Sequence, residues 1–309
     1  MTFPSKKVDF CIPADVPVHK VEQFTYHYQS ITKNTNNLFL FAGDQKIEHL
    51  QNSFYGNNID PADNDPEHLF RIAQEGAVGA FATQLGLIAR YGKQYPHINY
   101  IVKLNSKTNI ISKEVQDPLS TQLWSVEQVV EFKENSKLPI CGVGYTVYLG
   151  SEYESEMLAQ AAQVIYKAHQ YGLVAIIWMY PRGKNVTHEL DGNLIAGAAG
   201  VALALGADFA KINVPQDSSA TSLAIACQAA GNTKLICSGG AVKTPEDFFV
   251  ELYEQMHKGN TAGSACGRNI HQRSLSSAIA YTKALHALIY NNATVAEALQ
   301  LYYSHLQHS

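Results

Sequence analysis

The sequence predicts an α/β fold, a single (β/α)8 TIM barrel with an N-terminal helical extension. Three observations carry this expectation. Short apolar runs alternate with helical stretches along the whole chain. The number of such units, eight in about 250 residues, is the arithmetic of this barrel. No low-complexity segment or linker divides the 309 residues into separate domains. Strands that alternate with helices pair in parallel through right-handed crossovers. A doubly wound open sheet is the alternative, and the lack of a GxGxxG turn after the first strand speaks against it.

The elements follow in order. Residues 1–37 precede the first strand and read as a helical cap over the barrel bottom. The first strand is 38–42, an unbroken apolar LFLFA, as expected of a strand buried on both faces. A long polar loop, 51–66, comes after it, and long loops on the C-terminal side of a barrel often cover the active site. Further strands are expected at 78–83, 100–104, 140–146, 174–179, 208–214, 235–238 and 263–266, each an apolar run ending in polar or glycine residues. Clear helical patterns occupy 152–170, 192–205, 220–230, 245–256 and 274–290. The barrel is thus bounded at 38–290, and 291–309 is a C-terminal helical tail.

Composition excludes several function classes. With 46% hydrophobic and 16% charged residues, the chain is ordinary for a soluble globular protein. A net charge of −4 is no footprint for nucleic acid. No uninterrupted apolar segment is long enough to span a membrane. The N-terminal lysines are followed by no apolar core, so a secretory signal is not expected. The five cysteines, Cys11, Cys141, Cys227, Cys237 and Cys266, are odd in number and widely spaced, and read as reduced residues of a cytoplasmic protein. Twelve histidines include no HExxH and no HxH, so no metal site is expected. His286, His305 and His308 read as helix-surface or tail residues.

The most informative stretch is GADFAKINVP, residues 206–215, with Lys211 inside a short apolar run. An unpaired ammonium is costly to bury. Burial lowers its pKa, and a neutral amine attacks carbonyls. The competing reading is a lysine at a strand tip with its head in solvent. In a barrel the site lies at the C-terminal strand ends. There the sequence offers Asp44, Gln45, Glu48 and His49 after strand one, Lys103 and Asn105 on strand three, and Trp178, Tyr180 and Arg182 on strand five. Residues two apart share a face, so Trp178 and Tyr180 point together, as do Lys211 and Asn213. Amine, phenol and carboxylate at one mouth suit the proton transfers of carbinolamine chemistry. Blander roles stand beside this. Asp44 would cap a turn, Trp178 and Tyr180 would pack the rim, and Glu48 with His49 would form a surface pair. Lys103 would pair with a carboxylate, or stand in the pocket as a second cation that depresses Lys211 further.

An anion site is expected as well. Ser238-Gly239-Gly240 follows strand seven, and Gly267-Arg268 follows strand eight. Barrels often bind phosphate in these two loops and at a short extra helix. Glycines let backbone N–H groups approach, and Arg268 adds a charge-assisted fork.

Six motifs, in order and spacing, carry a resemblance: GDQKIEH (43–49), VGYTVYLGSEYESEML (143–158), IIWMYPRG (176–183), GADFAKINVP (206–215), CSGGAVKT (237–244) and GRNIHQ (267–272). From about residue 38 to 290 the chain resembles the archaeal-type class I fructose-bisphosphate aldolases, the DhnA-like group of the DeoC/FbaB superfamily. The resemblance implies a metal-independent barrel enzyme that uses no cofactor, forms a Schiff base with dihydroxyacetone phosphate and works as a homo-oligomer in glycolysis and gluconeogenesis. It implies that Lys211 is the Schiff-base lysine, Asp44 the strand-one carboxylate, Tyr180 the proton donor and acceptor, and Trp178 its aromatic neighbour. Ser238, Gly239, Gly240, Gly267 and Arg268 match the phosphate loops, and Lys103 and His49 are further candidate substrate contacts. Fructose 1,6-bisphosphate is the implied substrate. A sister activity on another phosphorylated sugar is the nearest alternative, and a non-catalytic sugar-phosphate sensor a more distant one. The chain departs from the pattern at Lys46, where the familiar motif has glycine, and at Leu50 after His49. Both departures bear on substrate identity.

Overall fold

Eight parallel strands close into one barrel in chain order: β1 (Leu38–Ala42), β2 (Ala80–Gln84), β3 (Tyr100–Lys103), β4 (Ile140–Leu149), β5 (Val174–Pro181), β6 (Phe209–Ile212), β7 (Lys234–Ser238) and β8 (Gly263–Cys266). The structure is a computed structural model and describes residues 10–217 and 219–307. Strand-one pairing with β8 (Leu40 beside Ala265) completes the ring. The expected (β/α)8 barrel is therefore the observed fold.

Alternation along each strand sorts side chains into two cores. Leu38, Leu40, Ile101, Ile176, Phe209 and Ile236 fill the barrel interior. Phe39, Phe41, Phe81, Val102, Ile177 and Ala210 face the surrounding helices. The lower end is plugged by the N-terminal helix Val21–Thr32, which buries Phe24, Tyr28 and Ile31 in the interior cluster. Tyr28 stacks on Phe209 at 5.5 Å. The cap expected from residues 1–37 is thus present in its described part, while residues 1–9, where the absence of a signal was read, lie outside the described residues. So does His308.

Strand and helix bounds differ from the expectation mostly by one to three residues. β4 and β5 run longer, to Leu149 and Pro181, and carry Tyr148 and Tyr180 beyond the rim. Three further outer helices, Glu67–Glu75, Leu85–Tyr91 and Val126–Ser136, join the five expected from clear periodic patterns. The last carries a capping box in which Ser125 and Gln128 satisfy one another's backbone donors, a signal present in the sequence as SVEQ. The tail forms a helix, Val295–Gln307, packed on Pro245–His257 and Leu275–Tyr290. The loop after β1 is long, as expected, and contains a single 3-10 turn, Pro61–Asn64.

Candidate active site

The interior polar residues converge at the C-terminal strand ends, around a cleft of about 150 Å³. Larger cavities lie at the opposite end, about 470 Å³ beside Tyr28 and Asp208 and about 530 Å³ beside Lys133. Size therefore does not locate the site; the joint presence of an amine, a phenol and a carboxylate does.

Lys211 rises from β6 beside Trp178 of β5, its register partner. It is 7% exposed, so its ammonium is not a solvated strand tip. Burial lowers its pKa, opposed by the Asp44 and Glu48 carboxylates and assisted by the Arg268 guanidinium. Its Nζ lies 5.6 Å from the Trp178 ring, and Lys103 Nζ lies 4.7 Å from the same ring. Both amines thus lie against the same indole. Gly144 makes room for it, because a Cβ there would stand 2.5 Å from the indole. Trp178 lines the cleft, and its Nε1 is buried with no hydrogen-bond partner among the described residues.

Asp44 follows β1 and is buried. Its side chain makes no capping bond to the turn Gln45–Glu48. It instead accepts from Lys103 Nζ at 3.2 Å. Burial alone would raise its pKa, but the Lys103 and Lys211 ammoniums hold it below the ordinary carboxylate value. It is a carboxylate, with Gln84 Nε2 fixing its backbone carbonyl at 2.7 Å. Tyr180 closes the upper wall. Burial pushes its phenol well above the ordinary value, and Asp44 and Glu48 add to this against Arg182. The phenol therefore stays protonated near neutrality.

Of the two roles open to Lys103, pairing with a carboxylate is the one the structure shows. Lys103 does not line the cleft; it lies beneath Asp44, 3% exposed and ion-paired. Its charge is absorbed by that partner, and the like charge that lowers the Lys211 pKa comes from Arg268. Asn105, on the same strand face, is a staple: it donates to Ser120 O and Thr146 O at 2.8 Å. His49 does reach the cleft, with Nδ1 2.7 Å from Ser53 Oγ. Glu48 and His49 do not pair. Glu48 accepts from Tyr148 Oη at 3.2 Å and faces Arg182 at 3.6 Å. Lys46 turns away from the cleft, over the Phe54 ring at 3.9 Å. Its departure from the family pattern therefore serves the first loop rather than the cleft.

Ser238, Gly239, Gly240, Gly267 and Arg268 all line the other wall. Gly240 has φ +65°, and a Cβ at Gly267 would stand 2.5 Å from Gln45 Nε2 and 2.6 Å from Ala42 O. Glycine is required at both for those reasons. The two loops are tied together. Arg268 Nη2 donates to Gly240 O at 2.8 Å, and Asn269 Nδ2 donates to Gly239 O and Ala241 O. Ser238 Oγ donates to Asn213 Oδ1 at 3.1 Å.

Several cleft residues stand at the strand ends without an expected catalytic or substrate role. Gln45, Glu48, Arg182 and Asn213 line the cleft beside those expected. Asn213 was within reach, since it shares a face with Lys211. Arg182 is two residues beyond Tyr180 and bridges Glu48 and Glu189 at 3.6 Å each. Nothing local announces Asn269, whose role depends on a loop 30 residues away. Among the described residues, no cluster of three or more His, Cys, Asp or Glu is arranged to hold a metal ion. No described helix is long and apolar enough to cross a membrane.

Comparison with known proteins agrees with this geometry. The chain is 51% identical over 299 residues to a protein of Methanocaldococcus jannaschii named fructose-bisphosphate aldolase/6-deoxy-5-ketofructose 1-phosphate synthase, covering 96% of each chain. It is 33% identical to the class 1 fructose-bisphosphate aldolase of Thermoproteus tenax, over 85% of this chain and 93% of that one. Among solved structures, a fructose-bisphosphate aldolase of Slackia heliotrinireducens superposes with a TM-score of 0.94 at 46% identity, covering 98% and 96%. An archaeal fructose-1,6-bisphosphate aldolase, whose catalytic lysine is covalently bound to the carbinolamine intermediate, superposes with a TM-score of 0.75 at 30% identity, covering 86% and 99%. The DeoC/LacD aldolase family model matches residues 38–273. With its barrel, its buried lysine and these relatives together, the chain is an aldehyde-lyase and belongs to the DeoC/LacD family of aldolases.

Proposed function

We propose that the protein is a class I fructose-bisphosphate aldolase in which Lys211 forms the imine. The observation that carries this is the buried Lys211 amine sharing one cleft with the Tyr180 phenol and the Asp44 carboxylate. The substrate phosphate lies against the backbone of Ser238-Gly239-Gly240 and Gly267, with Arg268 supplying charge. Neutral Lys211 attacks C2 of fructose 1,6-bisphosphate to give a carbinolamine. Tyr180 donates its proton as the C2 hydroxyl leaves as water. The phenolate left behind is a strong base because of its surroundings. It takes the C4 hydroxyl proton as the C3–C4 bond breaks, its electron pair passing into the imine. Asp44 stays ionised and steadies the iminium charge. Trp178 Nε1 and His49 are the remaining contacts for substrate hydroxyls. Glyceraldehyde 3-phosphate leaves, the enamine is protonated at C3, and water releases dihydroxyacetone phosphate from Lys211. The imine is the electron sink, so the reading needs neither metal nor cofactor. It carries with it a cytoplasmic, homo-oligomeric enzyme.

The double name of the 51% identical relative favours a second reading of the same site. Here the Lys211 enamine condenses with an aldehyde other than glyceraldehyde 3-phosphate. Borohydride trapping tests both. With EDTA present, borohydride added with dihydroxyacetone phosphate is expected to inactivate the protein and leave one reduced adduct, mapped to Lys211. Lys211→Arg should form no adduct and no product, because a guanidinium makes no imine. An adduct on Lys103, with Lys211→Arg still active, would refute the assignment. Product analysis across phosphorylated ketoses then separates the two readings.

A further inference from the structure

The first loop is docked onto the strand-eight turn through a buried acid–base pair outside the cleft. His271 Nδ1 lies 2.7 Å from Asp63 Oδ2, and both side chains are fully buried. Phe54 stacks on the His271 ring at 4.8 Å, with Lys46 over the Phe54 ring. Gln272 Nε2 donates to Ser53 O at 2.7 Å, and Asp60 N donates to Gln272 O at 3.0 Å. His68 Nε2 meets His271 O at 3.0 Å from the following helix. The turn that receives these contacts, Arg268–His271, begins with the residue that reaches across to Gly240.

Burying a carboxylate with a single neutral partner is costly. Burial holds His271 below the ordinary histidine pKa against the pull of Asp63, so it is a neutral imidazole that donates Nδ1–H. Asp63 Oδ1 and His271 Nε2 have no hydrogen-bond partner among the described residues. Burial lowers the Lys46 pKa, opposed by the charges of Asp63 and Asp65, which places its amine within electrostatic reach of the carboxylate. So expensive an arrangement, far from Lys211 in the chain, needs a use.

We infer that Asp63 and His271 are positioning residues for substrate phosphate: they fix the Arg268 turn in register with Gly239 and Gly240, so that the first loop sets affinity for the phosphorylated end. The inference rests on the reading that phosphate binds at those loops. Two trapping substrates separate the possibilities, dihydroxyacetone phosphate and dihydroxyacetone, which share a carbonyl and differ in the phosphate. In Asp63→Asn, half-saturation of borohydride trapping by dihydroxyacetone phosphate should rise about tenfold, the scale of one lost hydrogen bond to a charged group. Maximal adduct yield, and half-saturation by dihydroxyacetone, should stay within about twofold, since the imine step itself is untouched. Lys46→Met, which removes only the facing cation, should shift the phosphate substrate in the same direction by a smaller factor and serves if Asp63→Asn fails to fold. Equal shifts for both substrates, or no shift for either, would overturn the inference. A wild-type protein that does not favour dihydroxyacetone phosphate over dihydroxyacetone would instead overturn the phosphate site.

Discussion

Asp44→Asn tests the electrostatic design of the cleft most directly. Asp44 and Lys103 meet at 3.2 Å with side chains 8% and 4% exposed. At an effective dielectric of about 20, that separation corresponds to roughly 5 kcal/mol of attraction, offset by the cost of desolvating both charges. Removing one partner leaves Lys103 buried and unpaired, a loss of about 3–5 kcal/mol. For a chain of this size, each kcal/mol lowers Tm by about 2 °C, so the variant should melt about 6–10 °C below wild type. Asp44→Asn with Lys103→Met should recover most of that loss, because no unpaired charge remains. The same substitution acts on Lys211. The Asp44 carboxylate raises the Lys211 pKa, so its removal lowers that pKa further. Imine formation needs the neutral amine, and the acid limb of borohydride trapping should therefore move to lower pH. Lys103→Met should move it to higher pH, since Asp44 is then left to act on Lys211 alone. Differential scanning calorimetry and trapping yield between pH 5 and 9 read the two effects. A variant that melts within about 1 °C of wild type, or an acid limb that moves upward in Asp44→Asn, would refute the reasoning.

Three further outcomes are expected. Tyr180→Phe should cut turnover by roughly 10²–10⁴-fold while borohydride still traps an adduct, and near wild-type turnover would make Tyr180 a packing residue. Arg268→Ala should weaken competition by inorganic phosphate by roughly 1.5–3 kcal/mol with little change in turnover at saturation; an unchanged inhibition constant removes Arg268 from the phosphate site. His169 should give the fold an alkaline limit. It joins Asp15 of the N-terminal extension at 2.8 Å to Asp208 at 3.2 Å, just ahead of β6. Burial alone would lower its pKa, but Asp208 and Asp15 lift it to about 9. The stabilisation is complete below the ordinary histidine pKa of about 6.5 and is lost as pH rises through about 9. Urea midpoints in His169→Gln should flatten over that window, and a slope identical to wild type would show that His169 is not the titrating group.

The site was legible in the sequence to the extent that strand geometry decides it. Lys211, Trp178 and Tyr180 were placed on inward faces by a period of two, and Gly239-Gly240 after β7 and Gly267 after β8 by their position at strand ends. The barrel itself followed from alternation of strand and helix signals, because eight buried parallel strands must each be an apolar run. The helix Leu85–Tyr91 is hard to read because it spans only two turns, whereas Glu67–Glu75 has a clear one-sided apolar pattern that the sequence does offer.

What only the tertiary structure decided is which charges meet. Asp44 and Lys103 are 59 positions apart, and Asp63 and His271 are 208 apart. Nothing local in either stretch names its partner. Lys103 read either as the partner of a carboxylate or as a second cation in the pocket; folding selects the first, under Asp44, and gives the like-charge role to Arg268 after β8. Lys46 read as a change beside the substrate; folding turns it onto Phe54. Backbone periodicity is a property of neighbours in the chain and can be read one residue at a time. Burial and Coulomb energy depend on what the closed barrel brings within a few ångströms, and so the pairing of charges exists only once the chain has folded.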